Sequence, residues 1–517
     1  MCQTPTVETV KGMLGPAVPA DVTIKKIQSV PSLQPKSIYQ AALSDGRSIQ
    51  LVLPPPPQWR PLRSEQGLIE SEAAAVAWIK ETITRQSTTE RQDERPPSSN
   101  SDRITRPPEV LALLPTLLHH GQPTDGSKTP FAAYLAVQGT PLSLLGRPPT
   151  PSSQRAIDRQ LGALFRSLAH LTSPTGRFGP LAAVLGTATT TGRPPEETTA
   201  GAAPAKTSPK LMLQGGLSAT GGAGTWSVAF HSMLESALRD GEDMAVVMAY
   251  STIRRQFRRV GYLLEEVTVG RLVVVEGGER ANILVSEERA GGDAAEEQEP
   301  QGDSERQEGR AGKGGAKDER EDGKSGKDPH IKDGRESEEP QKEADTQPRL
   351  RLCGLRDWSS CVFGDPLLAT VFSGAQQQHE PGRPSAAFLE GFNNGGKTTT
   401  TAAAAAADDN DHAPPPLPTR DRPPFFFPLD KSVVEDNNGT AWVRLLLYQA
   451  YHAVVRIVSE FYRPRQDSSA RELEARRTLN EVLARLAEVP DDAARRKHPR
   501  PSGGEMSPAK RVKAADG

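Results

Sequence analysis

Hydrophobic residues come in short phrases along this chain, and their spacing lengthens from strand-like to helical as it proceeds. Val22–Val30 and Ser37–Leu43 read as strands, and the Asp45-Gly46 pair turns the second into Gln50–Leu53 as a hairpin. Leu68–Ile79 places Ile69, Ala73, Val76 and Ile79 near helical spacing, and Tyr134–Val137 reads as a short strand. Ala156–Leu171 predicts a helix with Leu161, Leu164, Phe165 and Leu168 on one face. Trp226–Leu238 and Thr252–Val267 predict two more, the first with Trp226, Phe230 and Leu234 as core positions. Two strands surround Asn282, and another leads to Asp357. Ala441–Tyr462 is a long apolar helix, with Leu447, Tyr451, Val454 and Val458 facing a core. A last helix starts near Ser469, which has capping-box spacing to Glu472, and stops at Pro490. Strands first and helices afterwards predict an α+β domain of two lobes.

Between these phrases lie stretches with little to bury. Residues 86–107, 186–224, 289–348 and 374–425 are polar, charged or Thr/Ala/Pro-rich, and are expected to be disordered insertions. The expected organisation is an N-terminal tail (1–20), an N-lobe (21–140), a C-lobe (141–489) and a basic tail (490–517). Composition supports this economy. With hydrophobics at 35%, aromatics at 5%, and 45 Gly and 46 Pro, 517 residues cannot all be packed. A net charge of -2 exerts no overall pull on nucleic acid or anionic membrane. Cys2, Cys353 and Cys361 lack metal-ligand spacing and read as reduced thiols. The N-terminus has no signal-peptide layout, and no apolar run is long enough to span a bilayer. The expectation is a soluble protein of the cytoplasm, the nucleus or both.

The candidate chemistry lies in two segments. Leu352–Leu368 brings Asp357 to a strand end beside Trp358, followed by a Gly364-Asp-Pro turn. Arg271–Val285 is strand, polar loop ending in Asn282, then strand. An amide and a carboxylate on neighbouring strand ends are oxygen donors suited to Mg²⁺, and kinases use such a pair to hold the metal ions on ATP. These two segments follow Ser37–Arg47, Leu62–Ala73, and Ile157–Leu164 with Gly176-Arg-Phe-Gly179. In that order the five resemble the aminoglycoside-phosphotransferase-like branch of the protein-kinase-like fold, in its filamentous-fungal type. The resemblance implies a small antiparallel-sheet N-lobe, a mainly helical C-lobe, ATP and Mg²⁺ as cofactors, and a small hydroxylated substrate. It also implies that Glu72 pairs with a phosphate-binding lysine and that Asn282 and Asp357 hold metal.

Two parts of that machinery look absent. Counted from Asp45-Gly46, the lysine position on the third strand is Val52, and no lysine lies between Lys36 and Lys80. Arg47, Arg60 and Arg63 are out of register, so Glu72 is expected to lack its partner. The catalytic aspartate position, five residues before Asn282, is Gly277, and the accompanying histidine position is Val275. Glu276 is the adjacent acid, and a one-residue shift allowed by Gly277-Gly278 would aim it at a substrate hydroxyl. The leading expectation is therefore a catalytically degenerate, pseudokinase-like phosphotransferase domain. An active small-molecule phosphotransferase with Glu276 as base, and a nuclear scaffold, are the alternatives.

Other features add less. Asp365 reads as a brace for the turn that follows it. His119-His120 reads as a surface loop, and no Walker pattern, glycine-rich phosphate loop or G-x-S-x-G elbow is present. Pro508–Lys513 resembles the nuclear import signal of the Myc transcription factor, so Lys510, Arg511 and Lys513 are expected to engage an import receptor. Ser507-Pro508 beside it reads as a phosphorylation site.

Overall fold

The computed structural model describes residues 4–15, 18–19, 21–30, 32, 34–56, 58–92, 107–121, 129–186, 221–288, 349–373, 383–394 and 427–490. Met1–Ser286 and Leu350–Gly517 form one compact unit, and Glu287–Arg349 is a second unit described only at its ends. The expected import signal and Ser507 fall outside the described residues.

The chain opens with helix α1 (Val7–Leu14) and strands β1 (Ile24–Val30), β2 (Ser37–Leu43) and β3 (Ser48–Leu53). Helices α2 (Leu68–Gln92) and α3 (Pro107–Ala112) follow, then strands β4 (Thr116–Gly121), β5 (Phe131–Leu135) and β6 (Thr140–Pro141). The helical part comprises α4 (Pro151–Ala169), β7 (Gly179–Pro180), α5 (Leu181–Leu185), α6 (Trp226–Asp243) and α7 (Tyr250–Val260). Strands β8 (Arg271–Val274), β9 (Ile283–Glu288), β10 (Arg349–Leu355) and β11 (Cys361–Gly364) carry the candidate loops. Helices α8 (Thr370–Ser373), α9 (Ala386–Asn394), α10 (Ala441–Tyr462) and α11 (Ser468–Glu488) complete it.

The N-lobe is an antiparallel sheet in the order β1-β2-β3-β5-β4. Its hairpin turns at Gly46, whose φ of 85° suits glycine, and Asp45 braces the turn by accepting from the Arg47 N–H at 3.0 Å. Alternation along the strands feeds two cores. Val52, Ala132 and Tyr134 face α2, where they pack with Ile69, Ala73, Val76 and Ile79. Tyr39, Leu51, Phe131 and Ala133 face the other way and are covered by Val10, Met13 and Leu14 of α1. In the C-lobe, α10 is flanked by α6 and α11, and α4 by α9, while β10-β9-β6 and β7-β11-β8 form two small sheets. This is the two-lobed α+β plan expected from the sequence.

Several expectations need correction. The N-terminal tail contains α1, capped by Thr6 and buried against the sheet. Helix α2 continues to Gln92, into a stretch read as unable to fold. Helix α9 lies inside 374–425, read the same way. Phe388 and Phe392 are fully buried there, and burying each contributes about 1.5–3 kcal/mol, enough to hold nine residues between polar flanks. His119 and His120 lie on β4, paired with Ala133 and Ala132, rather than in a loop. The span Thr252–Val267 begins two residues earlier and breaks into a 3₁₀ turn at Gly261–Glu266. Ser469 lies within the first turn of α11, whose cap position is Asp467.

Helices α4 and α9 touch backbone to backbone. A Cβ at Gly391 would fall 2.0 Å from the Arg159 carbonyl oxygen, and one at Gly162 2.1 Å from that of Phe388. Gly391→Ala is therefore expected to destabilise the protein by about 1–3 kcal/mol through overpacking, read as a lower urea midpoint at constant m-value.

Candidate active site

The β2–β3 ladder decides the first feature of the site. Ile38 pairs with Val52 across the ladder, and Lys36 precedes β2 by one residue, so continuing the alternation puts Lys36 on the side of Ile38 and Val52. Val52 does occupy the inward position on β3, and it is buried in the core under α2. The lysine comes instead from the residue just before the neighbouring strand, β2. The Lys36 Nζ lies 2.9 Å from Glu72 Oε2 and 2.9 Å from Asp357 Oδ2, with the Lys36 side chain only 3% exposed. The expectation that Glu72 lacks a partner is thus corrected. Counting along β3 alone missed Lys36, and the pleat shared by β2 and β3 is the signal that could have found it.

One lysine serves two carboxylates, and the surroundings differ. Burial opposes the charge on Lys36, but Asp357 and Glu72 outweigh it and hold the ammonium above its ordinary pKa. Burial also opposes charge on Asp357, but Lys36 and the Ser359 N–H and hydroxyl, at 2.8 and 2.6 Å, keep it below the usual carboxylate range. Glu72 is pushed up, first by burial and then by Asp357, against Lys36 and the Trp358 N–H at 3.2 Å. Asp357 is therefore the firmly ionised member. Helix α2 also grips this loop through Ser71, whose hydroxyl donates to the Ser359 carbonyl at 3.1 Å.

Asn282 ties the two candidate loops together. Its amide donates to the carbonyls of Glu276 and Asp357, each at 3.2 Å, and its oxygen accepts from the Asp357 N–H at 2.7 Å. The side chain predicted to bind metal thus positions Asp357 as well. Asp365 braces the turn after β11, accepting from the Leu367 N–H at 3.1 Å. Among the described residues, no three His, Cys, Asp or Glu side chains converge as a preformed metal site.

The loop after β8 explains the glycine at the aspartate position. A Cβ on Gly277 would lie 2.7 Å from the Phe165 ring, and one on Gly278 2.6 Å from the Val371 nitrogen. A side chain at 277 would point into the core. Glu276 instead lines the open cleft, together with Lys36 and Asp357. Its backbone N–H donates to the Ser360 hydroxyl at 3.2 Å, and its carboxylate accepts from Gln34 in the β1–β2 connection. Glu276 is only partly buried by area, but protein crowds its carboxyl. Burial, then Asp357, Glu279 and Glu65, push its pKa up to about 8, against the Gln34 hydrogen bond.

The cleft encloses roughly 1260 Å³ between the β1–β2 connection, the loops after β8 and β10, and helices α8, α10 and α11. No protein-family model matches the chain, and no curated protein matches it. Solved structures do show likeness. A structure assigned as a fructosamine-3-kinase from Thermobifida fusca is 10% identical, with a TM-score of 0.41 over 92% of this chain and 98% of that one. One assigned as an aminoglycoside phosphotransferase from Ralstonia eutropha is 8% identical, with a TM-score of 0.37 over 89% and 92%. The GDP complex of a mutant aminoglycoside 2'-phosphotransferase-IIIa is 10% identical, with a TM-score of 0.37 over 93% and 99%. No described helix is long and apolar enough to cross a membrane.

Proposed function

We propose that this chain is an ATP- and Mg²⁺-dependent phosphotransferase of kinase type acting on a small hydroxylated acceptor. The observation that carries the reading is Lys36, held by Glu72 and Asp357 at 2.9 Å each. Kinase chemistry is mostly positioning and charge stabilisation, and it needs a lysine on the phosphates oriented by a helix glutamate. The donors suit Mg²⁺ arriving with a nucleotide. Lys36 is shared by Glu72 and Asp357, and Glu276 is close enough to Asp357 to feel its charge, so a further cation would relieve repulsion among these carboxylates. Asp357 and Asn282 would hold the ion, which neutralises phosphate charge when bound. In this reading Glu276 is the base, and its place in the lining of the same cleft as Asp357 supports that role.

The pH behaviour of Glu276 tests this directly. Its folded pKa lies above the ordinary 4.5, at about 8, so the folded state holds the proton more tightly. Stability therefore falls as pH rises between these values, and turnover rises as the base ionises toward and above about 8. Glu276→Gln is expected to flatten the fall in melting temperature across this window. It should also cost on the order of 10²- to 10⁴-fold in kcat. A variant with wild-type turnover would remove Glu276 from the mechanism.

Degenerate phosphotransfer is the second reading. It is favoured by the Gln34 amide on the Glu276 carboxylate and by the lack of room for a side chain at Gly277. Calorimetry with ATP and Mg²⁺ on the parent and Asp357→Ala, followed by a turnover assay, separates the two. Binding that Asp357→Ala abolishes, with turnover, supports the enzyme. Binding without turnover supports the degenerate domain, and no binding in either protein sinks both nucleotide readings.

A further inference from the structure

The backbone of Glu276 is tied on both sides. Its N–H donates to the Ser360 hydroxyl and its carbonyl accepts from the Asn282 amide, each at 3.2 Å. The acids around it are fixed by cations: Glu279 by Arg456 at 3.1 Å, Glu65 by Arg463 at 2.6 Å, and Asp357 by Lys36 at 2.9 Å. Glu276 differs. Among the described residues its carboxylate forms no ion pair, and its one hydrogen-bond partner is the Gln34 amide, on Oε2. A glutamate side chain turns about several bonds, so the amide is what gives this rooted side chain a single direction.

Gln34 belongs to the segment that carries Lys36. Ser32, Gln34, Lys36 and Ile38 all line the cleft. The Lys36 N–H donates to the Gln34 carbonyl at 2.7 Å, closing a three-residue turn around Pro35. A proline ring fixes φ near the value such a turn needs, so the backbone sets the spacing of the two flanking side chains. The Gln34 N–H is tied in turn to the Ser32 hydroxyl at 3.2 Å. From this one turn Lys36 reaches Glu72 and Asp357, while Gln34 reaches Glu276. An amide NH₂ can only donate to a carboxylate and takes no proton from an acceptor, so its part is to orient. It engages one carboxylate oxygen and leaves the other with lone pairs for the proton of an acceptor hydroxyl.

We propose that Gln34 is a positioning residue for the base: it aims the Glu276 carboxylate and, through the Pro35 turn, registers it against Lys36. The role rests on the phosphotransfer reading, whereas the amide contact does not. The contact is read by NMR on the full chain labelled with ¹⁵N at glutamine, with Gln34→Met assigning the signal. The Gln34 side-chain amide is expected to be shifted from the value of a free glutamine and to return to it in Glu276→Leu. An amide already at the free value in the parent overturns the proposal. The role is read as phosphate release from ATP and Mg²⁺ with water as the acceptor, beside ATP affinity by calorimetry. Gln34→Met is expected to cost about 10- to 100-fold in kcat at unchanged ATP affinity, since it misplaces the base and not the nucleotide. In a Glu276→Gln background it should cost nothing further, because the two changes remove one function. A merely structural role would lower both backgrounds alike and so overturns the proposal. A Gln34→Met protein with kcat at or above the parent's also overturns it, the amide then being idle or a block on the base. A parent that releases no phosphate removes the phosphotransfer reading, and the positioning role falls with it even where the amide contact is seen.

Discussion

Lys36→Met is expected to abolish ATP binding by the cleft and to destabilise the protein more at pH 9 than at pH 5. Lys36 is 5% exposed and is the cation in contact with both Glu72 and Asp357. Removing one partner from a buried ion cluster strands the others, at a cost of about 3–5 kcal/mol. The pH dependence follows from the signs. In the parent, the raised pKa of Lys36 makes its contribution fully present below the ordinary 10.5 and lost only above it. Between pH 5 and 9 that contribution is therefore constant. Without the ammonium, both carboxylates move above their ordinary values and take up protons in the folded state. Stability then falls as pH rises through the neutral range, which urea titrations at several pH values measure. Binding is read by calorimetry with ATP and Mg²⁺. Adding Val52→Lys to the Lys36→Met chain should restore part of the binding, because continuing the alternation of β2 puts Lys36 on the side of Val52. A folded Lys36→Met protein that binds ATP like the parent would refute the assignment of Lys36 to the phosphates.

Arg444→Met is expected to give the largest loss of stability elsewhere in the protein. Arg444 is fully buried in the first turn of an apolar helix. Its Nε donates to Asp365 at 2.9 Å, one amino group to Glu266 at 3.2 Å, and the other to the Glu435 carbonyl. The Tyr448 hydroxyl also donates to Asp365 at 2.8 Å, and the Trp226 indole to Tyr448 at 2.8 Å. The network ties the turn after β11 to α10 and α6. Methionine fills much of the volume but leaves the Asp365 carboxylate, 1% exposed, without its ion-pair partner. About 3–5 kcal/mol is the expected cost, and 0.5 M salt should change it little, since buried pairs are weakly screened. Combining it with Asp365→Asn should recover part of the loss. A chemical-denaturation midpoint unchanged by Arg444→Met would show that the network adds nothing to stability.

Elements with a strong local period were legible in the chain itself. The Asp45-Gly46 hairpin, the α4 stripe of Leu161, Leu164, Phe165 and Leu168, and the apolar length of α10 all appear within a residue or a few of their expected places. Elements whose fate depends on distant partners were not. Helix α9 is ordered by Phe388 against α4 and Phe392 against α8, α2 extends through a polar second half, and β4 is held by its ladder to β5. Burial patterns cannot announce such pieces, because the surface that covers them lies far along the chain.

Sequence by itself determined the two-lobed α+β plan, the hairpin, and the carboxylate and amide at neighbouring strand ends. Those depend on periodicity and turn chemistry, which act over a few residues. Tertiary structure decided which lysine meets Glu72, why 277 must be glycine, and that Glu276 lines the cleft. The reason is that charge pairing and steric room are set by contacts across the fold: Lys36 reaches Asp357 across the cleft, and Gly277 is backed by Phe165. Neither contact has a signature in the residues that flank it.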